Sequence, residues 1–160
     1  MGNSKTQWAT IGARAGANND RQEHDYYATD PHAVEDLLKR EKFSTDIWEC
    51  ANGGSFISDT LEKNGYKVRR SDLYDYGVKN CEKIDFLQYE GSWDGDIITN
   101  PPYKLAWRFV KKALETVTVG HKVAMFLKIT FLEGKERYDK LFSVTPPHCY
   151  MSTHSVGGVL

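Results

Sequence analysis

The sequence predicts an α/β fold in which a mostly parallel sheet is doubly wound, with helices on both of its faces. Strand-like apolar segments alternate with amphipathic, helix-like segments along most of the chain, which is the pattern of parallel sheets. A Gly-rich turn, residues 51–55, separates the first strand-like segment from a helix-like one. Residues 123–127 are continuously apolar, which is typical of a strand buried on both faces of such a sheet.

Length and composition indicate one domain. The chain has 160 residues, of which 40% are hydrophobic and 27% charged, the balance of a soluble globular protein. Residues 1–23 are rich in Gly, Ala, Asn and other polar residues, so we expect a mobile tail followed by a single domain over residues 24–160. We expect no membrane contact and a cytoplasmic location, because the sequence has neither a span of about 18 apolar residues nor a secretory signal.

The cysteines and the net charge limit the candidate functions. Cys50, Cys81 and Cys149 are widely spaced and match neither a disulfide framework nor a zinc pattern, so we expect no metal site. The formal net charge is −1, so a nucleic-acid contact would need a local basic patch. Residues that could form such a patch, or only a solvated helix surface, are Lys104, Arg108, Lys111, Lys112, Lys128, Lys135, Arg137 and Lys140.

The first elements form a helix and then a strand–turn–helix unit. A helix is predicted from Pro31, because proline suits the first helical turn and the apolar residues that follow recur on one face. Residues 46–50 read as a short buried strand, and a helix over about residues 56–64 follows the Gly-rich turn. Gly65 then ends this helix, as a glycine just after the last turn commonly does.

The remaining elements continue the alternation of strands and helices. Further strands are predicted at residues 66–73, 83–87, 94–99 and 123–127, with a sixth at residues 148–152. Helices are predicted from about Lys104 to Val117 and over residues 133–142. The parallel strands of such a sheet end at one edge, where doubly wound proteins bind their ligands.

The tetrapeptide Asn100-Pro101-Pro102-Tyr103 follows the fourth predicted strand and has a chemical interpretation. Asn100 offers a side-chain carbonyl, and Pro101, which is fixed in φ, holds its own carbonyl in a stiff turn as a second acceptor. Two adjacent acceptors suit a planar –NH2 group, and Tyr103 adds a flat face on which a base could stack. The alternative is that these residues form only a strand-to-helix turn.

Acidic residues and the Gly-rich turn indicate a ligand that contains ribose. A Gly-rich turn lets a ligand approach the backbone, and an acid about 20 residues further on, here Asp72, can hold the ribose hydroxyls. The turn lacks the glycine patterns of phosphate binders, and Glu49 would repel a pyrophosphate. S-adenosylmethionine carries a ribose, a cationic sulfonium and an amino group, which match an acid-rimmed pocket. The alternative is that Glu49, Asp72 and Asp85 are ordinary solvated acids at strand ends.

On these residues the chain resembles the S-adenosylmethionine-dependent DNA adenine-N6 methyltransferases, particularly small phage-type members. The tetrapeptide is similar to their catalytic motif, and the resemblance covers about residues 25–150. It implies a Rossmann-like methyltransferase sheet and methyl transfer to an adenine that is flipped out of DNA, with Tyr103 holding the base by stacking. It also implies cofactor contacts from Tyr27, Thr29, Glu49, Ala51, Asn52, Gly53, Asp72, Leu73, Asp85 and Phe86.

Two departures from the family pattern qualify this resemblance. Gly53-Gly54-Ser55 stands where the family usually has Gly-x-Gly, so Ser55 could crowd the cofactor or weaken its binding. The sequence stops at Leu160, so we expect an incomplete C-terminal hairpin, with target recognition supplied by self-association or by a separate partner.

The sequence also leaves alternatives open for the substrate. The tetrapeptide occurs in methyltransferases that act on protein glutamine amides and on RNA base amines as well. An inactive nucleotide-binding remnant of such an enzyme is a further alternative. Phe131, after the fifth predicted strand, could stack on a base or belong to the core.

Overall fold

One open sheet of five parallel strands organises the part of the chain that the computed structural model describes, residues 28–151. The strands are β1 Asp46–Glu49, β2 Lys67–Asp72, β3 Cys81–Lys83, β4 Asp96–Thr99 and β5 Val123–Met125. Their order is β3-β2-β1-β4-β5, so the chain moves outward from β1 to β3 and then returns to the other side of β1. The strand order therefore reverses between β1 and β4, which is where doubly wound proteins open a ligand crevice.

One of the three longer helices precedes β1, and the other two, with several short turns, connect the strands. The helices are α1 Pro31–Arg40, α2 Phe56–Lys63 and α3 Ala106–Thr116, followed by a single turn, α4 Lys135–Arg137. Asp30 starts α1 by accepting a hydrogen bond from His32 N at 2.9 Å, ahead of Pro31 in the first turn. Within residues 28–151, no helix has the length and apolar character needed to cross a membrane.

Each face of the sheet has its own hydrophobic core. On one face, α1 and α2 pack against the two central strands through Val34, Leu37, Ile47, Ile57, Leu61 and Ile98. On the other face, α3 and a 3-10 turn pack through Trp48, Cys50, Phe86, Ile97, Phe109 and Ala113. Adjacent residues of β1 and β4 enter opposite cores because strand side chains alternate. The predicted α/β fold with helices on both faces is confirmed, and it is compatible with a Rossmann-like fold.

The third strand differs from the sequence prediction. It covers Cys81–Lys83 rather than residues 83–87. Asp85 Oδ1 accepts from Leu87 N at 3.0 Å and starts a 3-10 turn, Phe86–Gln88, which leaves the sheet. A local side-chain acceptor has therefore replaced the ladder hydrogen bonds that a longer strand would make.

The segment after β5 is also less regular than predicted. The helix expected over residues 133–142 begins only after Gly134, whose φ is +111°, and continues beyond α4 as a π-helical turn, Tyr138–Phe142. Residues 148–151 form no strand, and Pro146 and Pro147 just before them have no N–H to donate to a sheet. The expectations for the tail, residues 1–23, and for Tyr27 lie outside the described residues.

A buried carboxylate joins the amino ends of three neighbouring strands. Asp96, which begins β4, is only 2% exposed. Its Oδ2 accepts from Ser44 N, just before β1, and its Oδ1 accepts from Lys122 N, just before β5, at 2.7 Å. His121 Nδ1 lies 3.3 Å from the same Oδ1. Asp96 therefore fixes β1, β4 and β5 at their amino ends, at the opposite end of these strands from Glu49 and Thr99.

We predict that Asp96→Asn lowers the free energy of unfolding by about 1–3 kcal/mol, because an amide has one acceptor oxygen and leaves a buried N–H without a partner. Asp94→Asn is the matched control, since Asp94 also contacts His121 but its side chain is 90% exposed. We expect the control to lose less than about 0.5 kcal/mol. Urea denaturation measures both, and equal losses would contradict this account of Asp96.

Candidate functional site

The two motifs identified in the sequence meet where the strand order reverses. Glu49 is the last residue of β1, and Thr99 is the last residue of β4, immediately before Asn100. Thr99 Oγ1 donates a hydrogen bond to Glu49 Oε1, although the two residues lie 50 positions apart in the chain. This contact joins the candidate cofactor motif directly to the strand that carries the tetrapeptide.

Glu49 is a buried acid with one oxygen unsatisfied. It is 1% exposed, and its Oε1 also accepts from Ala51 N at 3.1 Å. Its Oε2 has no hydrogen-bond partner among residues 28–151. Burial raises the pKa of Glu49 to about 8, and the charge of Asp72 adds to that effect, while the bonds from Thr99 and Ala51 oppose it. A cationic group that reached Oε2 would relieve this unfavourable burial.

Asp72 holds the Gly-rich turn against the end of β2. It is 8% exposed, and its Oδ2 accepts from Gly53 N at 2.9 Å. Its Oδ1 accepts from Tyr74 N at 3.0 Å, and the adjacent Ser71 carbonyl accepts from Asn52 N at 3.0 Å. The distance in sequence from the Gly-rich turn to Asp72 predicts a ligand contact for this acid. In the structure Asp72 also holds the turn in position.

Asn52 and Ser55 stabilise the inside of that turn. Asn52 Nδ2 donates to Ser55 Oγ at 2.9 Å, and Asn52 Oδ1 accepts from Ser58 Oγ. Ser55 has a φ of +69°, in the left-handed region that favours glycine, and it is 4% exposed. The hydroxyl of Ser55 is thus hydrogen-bonded within the turn, and its backbone adopts the conformation that a glycine would take more easily.

Phe86 and Leu73, two of the apolar residues among the expected cofactor contacts, differ in exposure. Phe86 is 2% exposed and packs against Trp48 and Phe109, with ring centroids 5.2 Å and 5.4 Å away. Leu73, which follows Asp72, is 44% exposed. An apolar ring beside Asp72 would therefore find an accessible side chain in Leu73, whereas Phe86 contributes chiefly to the core.

The tetrapeptide is held rigidly at the end of β4. Asn100 Nδ2 donates to Thr29 Oγ1 at 3.0 Å, which fixes the orientation of the amide. Pro101 is fully buried, and the Pro102 carbonyl accepts from Leu105 N at 2.9 Å to start the turn that leads into α3. Tyr103 is half-buried, and Lys128 Nζ lies 4.1 Å from the centroid of its ring.

An open groove lies beside Tyr103, and part of it was not anticipated from the sequence. It is lined by Tyr103, Lys104, Trp107, Phe131, Glu136 and Arg137. Phe131 packs edge-on against Phe142 at 6.0 Å, so it is both a packed residue and a wall of the groove. Trp107 was missed, although its position four residues after Tyr103 is the spacing of residues that share a helix face.

Comparisons with known proteins add no assignment. No family model matches the chain, and no curated protein matches it. The functional conclusion therefore depends on the geometry of the crevice between β1 and β4 and on the chemistry of the side chains that line it.

We predict that the buried acid makes stability depend on pH. The native state holds a proton on Glu49 up to about pH 8, whereas the unfolded chain releases it near 4.5, so stability falls as pH rises between these values. Each unit of pKa shift corresponds to about 1.4 kcal/mol.

The variant Glu49→Gln tests this prediction, because it cannot ionise and should lose this part of the pH dependence. Glu90→Gln, at an exposed position, is the control and should behave like the unmodified chain. Urea midpoints between about pH 5 and about pH 8 provide the measurement. Identical pH profiles for the unmodified chain and Glu49→Gln would show that Glu49 is not the group responsible.

Proposed function

We propose that the chain is an S-adenosylmethionine-dependent methyltransferase that acts on the N6 amine of adenine in DNA. The hydrogen bond from Thr99 Oγ1 to Glu49 Oε1 is the observation that carries this proposal. A methyl donor and its acceptor must lie in contact during transfer. The bond brings the acid of the candidate cofactor pocket next to the strand that presents Asn100, in the crevice where doubly wound proteins bind ligands.

The cofactor side of the crevice fits this donor. The Oε2 of Glu49, which has no hydrogen-bond partner within residues 28–151, suits the amino group of the methionine part, and Asp72, at the end of the neighbouring strand β2, suits the ribose hydroxyls. Leu73 offers an exposed apolar surface for the adenine ring. When bound, S-adenosylmethionine supplies a methyl group activated by its sulfonium. The acids of the pocket favour this cationic cofactor over one that carries phosphates.

The acceptor side suits an amine attached to a planar ring. The lone pair of adenine N6 is delocalised into the ring, so the amine is a weak nucleophile while it stays planar. Asn100 Oδ1 and the Pro101 carbonyl would accept its two hydrogens and stabilise the positive charge that develops on nitrogen. Thr29 holds the NH2 group of Asn100, so the amide is oriented before the substrate arrives. The lone pair would attack the methyl group as its bond to sulfur breaks, so no general base is needed for the attack, and the methylated amine would then release its surplus proton to water.

In duplex DNA the target adenine would have to leave its base pair to reach Asn100, whereas in a single strand it is already accessible, and in either case Tyr103 would stack on it. Lys128 Nζ lies over the Tyr103 ring, so the base would either displace this ammonium group or use the opposite face. Recognition of a particular DNA sequence would come from self-association or from a separate recognition partner, because contacts to base edges are usually made by elements outside the catalytic sheet.

We predict that Asn100→Ala lowers the rate of methyl transfer by about 10²–10³, the usual effect of removing one preorganised acceptor. Affinity for S-adenosylmethionine should stay within a few-fold of the unmodified chain, because Asn100 acts chiefly on the transition state. Thr29→Val keeps the Asn100 acceptor and frees only the NH2 group, so it should cause a smaller loss. Single-turnover assays with labelled cofactor measure the rates.

The same assay tests the substrate class when DNA, RNA and protein are supplied in parallel. Transfer to DNA at adenine N6 is the expected result. Transfer only to RNA or only to a glutamine amide would overturn the assignment to DNA while leaving the chemistry intact. A folded chain that binds the cofactor but methylates none of them would be a nucleotide-binding remnant. If Asn100→Ala keeps its activity within a few-fold of the unmodified chain, Asn100 is only a turn residue.

A further inference from the structure

The solvent side of α3 carries a basic stripe that begins at the candidate site. We define the basic stripe as Lys104, Arg108 and Lys111, which are all exposed. Arg108 and Lys111 share one face of α3, and Lys104 precedes them in the 3-10 turn Tyr103–Leu105. The buried residues of α3 lie on the other side: Ala106, Phe109, Ala113 and Thr116. Lys111 has an acidic neighbour, Glu115, at 3.9 Å, but both side chains are mostly exposed, so the pairing is weak.

This concentration of cations is particular to α3 among the three longer helices. The helix holds Arg108, Lys111 and Lys112 against one acid, Glu115. By contrast, α1 balances two basic residues against Glu35 and Asp36, and α2 has more acids than bases. Because the whole chain has a net charge of −1, the stripe is a local feature and does not reflect a generally basic surface. Its charge is complementary to a row of phosphates.

Aromatic side chains run beside the stripe. Tyr103 and Trp107 are half-buried, lie four residues apart and line the groove together with Phe131. Among the described residues that line the groove, Glu136 is the acidic one. Lys140 Nζ lies 2.7 Å from the Glu136 carboxylate. The Arg137 guanidinium donates to the carbonyls of Phe131 and Thr130, at 2.7 Å and 3.1 Å, and so shapes the wall of the groove.

We propose that α3 binds a single strand of DNA, with its phosphates along the basic stripe and the base next to the target stacked on Trp107. A basic track beside aromatic faces is the usual composition of single-strand sites. Arg108 and Lys111 lie about 5 Å apart along the axis of α3, at 1.5 Å per helical residue, and Lys104 adds a third cation just before the helix. A paired base in a duplex does not expose a face to Trp107, so the site favours an unpaired strand. The inference rests on the proposed function for the adenine at Tyr103.

Fluorescence anisotropy with the full chain and a labelled single-stranded DNA oligonucleotide that contains one adenine tests the proposal. Arg108→Gln should reduce the salt slope of log affinity by about 0.7, the value for one phosphate on a single strand. Lys63→Gln, on α2, removes one charge from another exposed helix position and should leave the slope unchanged. Trp107→Ala should weaken binding about tenfold, whereas Trp107→Phe, which keeps an aromatic face, should retain most of it.

Equal salt slopes for Arg108→Gln and Lys63→Gln would show that the basic stripe does not bind phosphates. Unchanged affinity in Trp107→Ala would show that no base stacks on Trp107. Tighter binding of the matching duplex, or of RNA with the same sequence, would also overturn the proposal. The assay needs neither cofactor nor methyl transfer. If the chain methylates DNA but these variants bind it unchanged, only the proposed binding of DNA along α3 is refuted. If the chain is inactive but passes the binding tests, only the proposed function is refuted.

Discussion

The buried carboxyl group of Glu49 is the interaction on which the arrangement of the crevice depends. Thr99 bonds to it from β4, and Ala51 bonds to it from the Gly-rich turn, so one side chain connects β1, the neighbouring strand β4 and the turn that follows β1. Asp72 holds the same turn from β2 through Gly53. The ends of three adjacent strands are thus coupled by carboxylates rather than by apolar packing. This makes the geometry of the pocket sensitive to protonation and to any cation that enters it.

The two edges of the sheet use buried acids in different ways. At the amino ends, Asp96 has hydrogen bonds to both oxygens from backbone N–H groups, which is the arrangement that stabilises a fold. At the carboxyl ends, Glu49 keeps one oxygen without a partner among the described residues. Burial without a partner costs stability, and proteins retain such costs mainly where a ligand or a reaction requires them. The contrast between these acids supports our proposal that the ligand binds at the carboxyl ends of the strands, while Asp96 supports the fold at the amino ends.

The sequence was sufficient for four of the five strands in the described part of the sheet, because hydrophobic patterning reports burial. The predicted strands at residues 46–50, 66–73, 94–99 and 123–127 all correspond to strands of the sheet, and the acids Glu49 and Asp72 lie at their ends. Patterning does not report local competition for backbone hydrogen bonds, which is why the turn that Asp85 starts was read as strand. The irregular segment after Gly134 was missed for a similar reason, since a π-helical turn has no signature in apolar spacing.

Side-chain contacts between distant segments could not be predicted in this way. The Thr99–Glu49 and Thr29–Asn100 hydrogen bonds join residues 50 and 71 positions apart, so they depend on the strand order, which the sequence left open.

Calorimetric titration with S-adenosylmethionine near pH 7, in two buffers of different ionisation enthalpy, tests the central claim most directly. The account predicts saturable binding with release of protons, because a cation beside Glu49 lowers its pKa from about 8, and loss of that release in Glu49→Gln. A folded chain that gives no heat of binding would contradict it.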